Sequence, residues 1–113
     1  MVPAVKTMRE PTFLILTALA DGPRHGYGIV QEVRVLSGGR VSLLTGTLYT
    51  ALDRLTAEGL VEHDHEEEVD GRLRRYHRLT AEGLAALTAE TARLRQLTTA
   101  AEARLRAVHP RIV

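Results

Sequence analysis

At 113 residues, 44% of them hydrophobic, the chain fits one domain with a single modest core. Its 15 basic and 14 acidic residues leave a formal charge of +1, so bulk charge does not announce a nucleic-acid binder and its distribution has to be read instead. The lack of cysteine excludes disulfides, cysteine-ligated zinc, iron–sulfur clusters and thiol nucleophiles. No apolar run approaches the roughly 18 residues of a membrane span, and Met1 to Glu10 lacks the apolar stretch of a signal peptide, so a cytoplasmic protein with no membrane partner is expected.

Pro11 suits a helix start, and Phe13, Leu14, Leu16, Thr17, Leu19 and Ala20 make a short, largely apolar helix that Asp21-Gly22-Pro23 ends. A second helix starts near His25-Gly26-Tyr27, carries Ile29, Val30, Val33 and Leu36 at helical spacing, and stops at Gly38-Gly39. Arg40 to Leu44 has room for only a brief strand. Thr45 reads as the N-cap of a third helix whose buried stripe is Leu48, Leu52 and Leu55 and which Gly59 closes.

From Leu60 to Glu66 the pattern turns strand-like, Asp70-Gly71 is a turn dipeptide, and Leu73 to Leu79 forms the returning strand. A two-residue loop sets Glu67 opposite Arg74 and Glu66 opposite Arg75, so acidic and basic runs neutralise each other across the hairpin. Thr80 caps a final helix running to about Val108, with Pro110 marking its end. Along it Leu84, Leu87, Thr91, Leu94, Thr98, Ala101, Leu105 and Val108 alternate spacings of three and four, a heptad seam for dimerisation. The pentapeptide Thr-Ala-Glu-Gly-Leu occurs twice, at 56–60 and 80–84, closing one helix and opening another.

These elements predict a mostly α fold with a small β-hairpin: a winged helix-turn-helix over residues 1–80 and a long C-terminal dimerisation helix over 81–113. In that architecture the third helix enters the DNA major groove and the hairpin wing lies along the backbone or minor groove. The expected contacts are therefore Thr45, Gly46, Thr47, Tyr49, Thr50 and Arg54 on the third helix, Tyr27 at the start of the second, and Arg72 and Arg74 on the wing. Arg75 and Arg78 complete the densest basic cluster, while Lys6 and Arg9 are weaker candidates for phosphate contact.

The motifs resemble the PadR family of transcriptional regulators. The likeness lies in Leu14 to Leu19 followed by Gly22-Pro23, in His25-Gly26-Tyr27-Gly28-Ile29, in Gly46-Thr47-Leu48-Tyr49 with Leu52 and Leu55, in Glu58-Gly59-Leu60-Val61, and in Arg75-Tyr76-His77-Arg78-Leu79-Thr80 with Glu82-Gly83. It implies a homodimeric winged-helix repressor on a pseudopalindromic operator, often governing detoxification, efflux or stress genes. The single C-terminal helix is similar to the family's short subfamily. Thr45 and Thr50 stand where the family commonly has proline, so the operator sequence cannot be borrowed. The absence of tryptophan argues against an aromatic cage for planar ligands.

Competing functions are thinly supported. His63 and His65 would share a strand face with Asp64 between them, and His77 lies across the hairpin, but no fourth ligand completes a metal site and none is expected. No nucleophile, base and acid group together, so neither catalysis nor a cofactor is expected. The near-neutral charge and Glu66-Glu67-Glu68 leave open a winged-helix adaptor that binds protein rather than DNA. A small-molecule effector would act by favouring a conformation with misplaced recognition helices; the sequence names no ligand, and ligand-free regulation by abundance stays open.

Overall fold

A computed structural model describes residues 7–108. In chain order it has α1 (Glu10–Leu19), β1 (Arg24–His25), α2 (Gly26–Leu36), α3 (Thr45–Ala57), β2 (Val61–Val69), β3 (Arg72–Leu79) and α4 (Ala81–Val108). Lys6 and the expected helix stop at Pro110 lie outside the described residues.

α1 begins with Pro11 in its first turn and buries Leu14, Ile15, Leu16, Ala18 and Leu19, so it is apolar almost all round and forms the centre of the core. Ile29 and Val33 of α2 and Leu48, Leu52 and Leu55 of α3 close over it, with Val61 from the sheet and Leu87 from α4. α3 ends in a Schellman motif: Gly59 takes φ +78°, the Leu60 amide donates to the Leu55 carbonyl at 2.9 Å, and the Gly59 amide donates to Thr56 at 3.0 Å.

Two local expectations are corrected. Residues 40–44 form no strand; the short strand is β1, ahead of α2, and the sheet order is β1-β3-β2. β3 is the central strand with both of its edges occupied, so a strand at 40–44 has no partner there. Ser37 Oγ instead accepts the Val41 amide hydrogen at 2.9 Å and holds this segment as a loop. Thr45 is not the cap of α3 but its first helical residue, since the extended residue before it is Leu44, which provides no side-chain cap. A threonine hydroxyl caps from the extended position, and Thr45 is already past it.

The hairpin turns through Asp70 and Gly71, at φ +52° and +76°, the paired positive values of a type I′ turn. Near the tip the register matches expectation, with Glu67 opposite Arg74 and Glu66 opposite Arg75. Lower down, Asp64 is an extra residue that bulges β2. His63 pairs with His77 and His65 with Tyr76, which are consecutive on β3. The bulge therefore sends His63 and His65 to opposite faces, and the shared face expected from simple alternation does not form.

At the root of α4 the two copies of the repeated pentapeptide meet. Thr80 Oγ1 caps the helix by accepting the Gly83 amide hydrogen at 2.9 Å, and its own hydroxyl donates to the Gly59 carbonyl at 2.6 Å. The Thr80 amide donates to the Leu60 carbonyl at 3.1 Å. That carbonyl would lie 2.0 Å from a Cβ on Gly83, so only glycine fits. Further along, Glu90 is 2% exposed, paired with Arg93 at 2.7 Å and receiving the Met8 amide hydrogen at 3.3 Å. From residue 94 onward every described residue of α4 is exposed. The overhang helps make the chain elongated, with a radius of gyration of 17.0 Å against the ~13 Å typical of a compact chain this long.

Gly83→Ala should therefore destabilise the fold by about 1–3 kcal/mol, because the backbone carbonyl cannot move aside, although alanine is the better helix former by about 1 kcal/mol. Denaturant unfolding checks this; equal or greater stability would show that the α4 root has slack.

Candidate nucleic-acid interface

With Leu48, Leu52 and Leu55 turned inward, helical geometry leaves Gly46, Thr50 and Asp53 on the outer side of α3. α3 thus stands as a ridge between two grooves. One is an apolar cleft of about 1330 Å³ bounded by the start of α1, by α3 and by Ala86 of α4; Gly46, Thr47, Thr50 and Arg54 line its α3 side. The other lies between α3, the start of α2 and the wing, and is lined by His25, Tyr27, Tyr49, Arg72, Arg74 and Arg75 among others.

The sequence-derived residues occupy different situations around this ridge. Thr45, Gly46, Thr47 and Thr50 are exposed, and a Cβ on Gly46 would meet nothing within 4 Å. Tyr49 is 45% exposed, with its hydroxyl against Gly26, where a Cβ would approach it to 2.7 Å. Gly26 is thus the clearance that lets Tyr49 lie across the start of α2. Tyr27 is 66% exposed, its ring parallel to that of His25 at 6.4 Å. Arg54 is held by Thr12 Oγ1 at 2.8 Å and by Glu58 at 3.3 Å, which ties α3 to α1.

The wing arginines divide. Arg75 pairs with Glu66 at 3.3 Å, and Arg78 with Glu62 and Asp64 at 2.9 Å. Arg72 is exposed and has no ion pair among the described residues. Arg74 faces Glu67 in register but forms no ion pair with it; its Nη1 lies 3.2 Å from His25 Nε2. Glu67 instead meets the Tyr76 hydroxyl, and this contact, burial and the Glu67 charge push the Tyr76 pKa up against a smaller opposing pull from Arg74, which donates to the same hydroxyl. His25 and Gly26 entered the sequence reading only as part of a helix-start motif, not as contact residues, and Thr12 did not enter it at all. Their roles depend on contacts with residues far along the chain.

His77 packs edge-on against His63 at 6.3 Å, and its Nε2 is buried with no hydrogen-bond partner among the described residues. Burial, His63 and Arg75 push its pKa below the ordinary 6.5, against a smaller opposing pull from Asp53. Among the described residues no His, Asp and Glu side chains gather in a group of three or more suited to a metal ion.

The seam residues of α4 also divide. Leu87 belongs to the chain's own core, whereas Leu84, Leu94, Leu105 and Val108 are exposed, as is Leu97 beside the seam. Thr91, Thr98 and Ala101 are exposed with them.

This combination of three helices, a three-stranded antiparallel sheet and a long C-terminal helix is the winged-helix arrangement of PadR regulators. Residues 15–89 match the model of the "Transcriptional regulator PadR-like family", and the chain belongs to that family. Among curated proteins it is 45% identical over 83 residues, 74% of each chain, to "Transcriptional regulator Rv3488" of Mycobacterium tuberculosis. Among solved structures, a PadR family regulator of Clostridium difficile superposes with a TM-score of 0.71 at 25% identity, covering 86% of this chain and 99% of that one. Bacillus subtilis PadR in complex with operator DNA superposes with a TM-score of 0.63 at 24% identity, covering 72% of this chain and 46% of that one. No helix among the described residues is long and apolar enough to cross a membrane.

The half-buried His77 makes a pH prediction. Its folded pKa is depressed, so on acidification the unfolded chain takes up this proton first, and stability falls as pH drops below about 6.5. His25, depressed for the same leading reason of burial, adds in the same direction. Thermal unfolding should show a lower midpoint at about pH 5.5 than at pH 7.5, with a shallower dependence in His77→Gln. An identical pH dependence in wild type and variant would remove His77 as a source.

Proposed function

We propose that the protein is a sequence-specific DNA-binding repressor acting as a cytoplasmic homodimer, with residues 1–80 binding DNA and the helix in 81–113 dimerising. The observation that carries this reading is the α3 ridge. It exposes small polar residues at its N-terminal end, where recognition helices read base edges, and is flanked by a groove carrying arginines and tyrosines. Thr45, Gly46, Thr47, Tyr49 and Thr50 supply the major-groove contacts, and Tyr27, Arg72 and Arg74 meet phosphates. Arg54, bound to Thr12 and Glu58, orients α3 and adds at most a peripheral contact.

Gly46 separates folding from function. With open space beside it, Gly46→Ala should fold as well as wild type or better, yet weaken operator binding by filling the clearance between helix and base edges. Tyr49→Ala should also weaken operator binding. Arg72→Ala should weaken it while reducing the salt slope by about 0.9, the value for one phosphate contact. Mobility shifts against the protein's own upstream region, over a range of salt, measure all three. Unchanged affinity and slope would overturn these assignments, and salt-sensitive nonspecific retention alone would favour the protein-binding adaptor.

Dimerisation rests on the part of α4 that its own domain leaves bare. Leu94, Ala101, Leu105 and Val108 extend the seam beyond the core and, with Leu97 beside it, expose apolar surface over several turns. Thr91 and Thr98 are its polar positions, Leu84 flanks its root, and Leu87 supports it from inside the domain. Pairing along this stretch sets two α3 ridges on a pseudopalindrome with half-sites about 10 bp apart. Leu94→Glu or Leu105→Glu should shift the protein to monomer in sedimentation; a stable dimer in both variants would place the interface elsewhere.

Release by a small-molecule effector has a natural place in the apolar cleft, whose walls include Met8, Ile15, Leu43, Leu44 and Leu60. A ligand there touches α1, α3 and the beginning of α4 together, so it can favour one arrangement of α3 over another. No catalytic role forms part of this reading.

A further inference from the structure

One hydrogen bond fixes the chemistry of the groove between α2 and the wing. His25 Nδ1 caps α2 by accepting the Gly28 amide hydrogen at 3.2 Å, so the neutral ring carries its proton on Nε2. That Nε2 lies 3.2 Å from Nη1 of Arg74, and a guanidinium nitrogen only donates. Arg74 also donates to the Tyr76 hydroxyl, but toward His25 two N–H donors converge with no acceptor between them among the described residues. The mismatch costs free energy unless an acceptor is shared.

The surroundings name that acceptor's charge. The groove is lined by Arg72, Arg74, Arg75, Tyr27, Tyr49 and His25 among others, and among the described residues no carboxylate lines it. Glu67 is the acidic group nearest in register; its charge reaches His25, but its oxygens serve the Tyr76 hydroxyl and lie 3.9 Å from His65 Nε2. Burial and the Arg74 charge hold the His25 pKa below its ordinary value, which favours the neutral ring, and the Gly28 amide at Nδ1 then leaves the proton on Nε2.

We infer that His25 and Arg74 together seat one backbone phosphate of duplex DNA, the imidazole Nε2–H and the guanidinium donating to its non-bridging oxygens. The inference rests on the DNA-binding reading above and adds to it a residue otherwise explained as a helix cap. The seat joins the start of α2 to the wing, so the phosphate bridges two elements that grip the same strand beside α3. Because a phosphate contact carries no sequence information, it acts on any duplex.

The test uses the full chain and a short random-sequence duplex, with fluorescence anisotropy over a series of salt concentrations. His25→Asn keeps an acceptor at the Nδ1 position but loses the Nε2–H. It should bind roughly threefold to tenfold more weakly with an unchanged salt slope, since a neutral donor displaces no counterion. Arg74→Gln should weaken binding and lower the slope by about 0.9. The double variant should fall well short of the product of the two losses, because each donor depends on the other's phosphate. Glu67→Gln should bind more tightly.

His25→Asp separates the seat from the cap. Aspartate caps a helix well, so a purely capping role predicts wild-type binding, whereas the seat predicts the weakest binding of the set. Wild-type affinity in a folded His25→Asp or His25→Asn, or independent losses in the double variant, overturns the seat alone. A wild-type protein that shows no salt-dependent binding to any duplex overturns the seat and the DNA-binding reading together.

Discussion

The contact on which the remaining architecture depends is the approach of Gly83 to the carbonyl of Leu60. At this point α3 has just ended, β2 is about to begin, β3 has returned and α4 is starting. Thr80 locks the four together through its amide and both roles of its hydroxyl. A buried carbonyl accepts a hydrogen bond and tolerates no side chain above it, so the direction in which α4 leaves the domain is set by backbone against backbone. Side-chain packing at Leu87 and the Met8 amide's hydrogen bond to Glu90 then hold the helix on the core and on the lead-in to α1, and Arg93 keeps the Glu90 carboxyl below its usual pKa. The ridge of α3 and the bare end of α4 are consequently fixed relative to one another by very few residues.

Much of this was legible in the sequence because it depends on local periodicity. Leu48, Leu52 and Leu55 repeat at helical spacing, and Asp70-Gly71 dictates a turn whose backbone few other dipeptides adopt, so α3 and the tip register could be read directly. β1 could not: two residues carry no period, and their partners His77 and Tyr76 lie far along the chain. Val41 and Leu43 alternate like a strand, but alternation does not reveal that both edges of the central strand are already filled. The Asp64 bulge was hidden because one extra residue reverses the facing of everything beyond it without altering the composition.

The interface was legible in part for the same reason. Exposure of Thr47, Thr50 and Arg72 follows from which positions a periodic core leaves out. What each arginine does there follows from distances that only the fold provides. Four arginines lie between residues 72 and 78, and a count alone would treat them as equivalent. Cross-strand carboxylates satisfy Arg75 and Arg78, whereas Arg72 and Arg74 keep their positive charge uncompensated by an ion pair among the described residues. A chain with a net charge of only +1 can in this way concentrate positive potential beside one helix while its remaining surface stays near balance.

The overhang of α4 acts as a lever arm. Residues 94–108 project about 22 Å past their last support, so a tilt of about 10° at the Glu90–Arg93 pivot moves the tip by roughly 4 Å. In a dimer joined along that arm, small changes where α4 meets α1 are magnified into the separation of the two reading heads, while the core of each domain stays as it was. The Met8 amide, bonded to the same Glu90, makes the lead-in to α1 part of the fulcrum. In the proposed dimer the spacing of the two α3 ridges is thereby placed partly under the control of residues outside the proposed DNA interface.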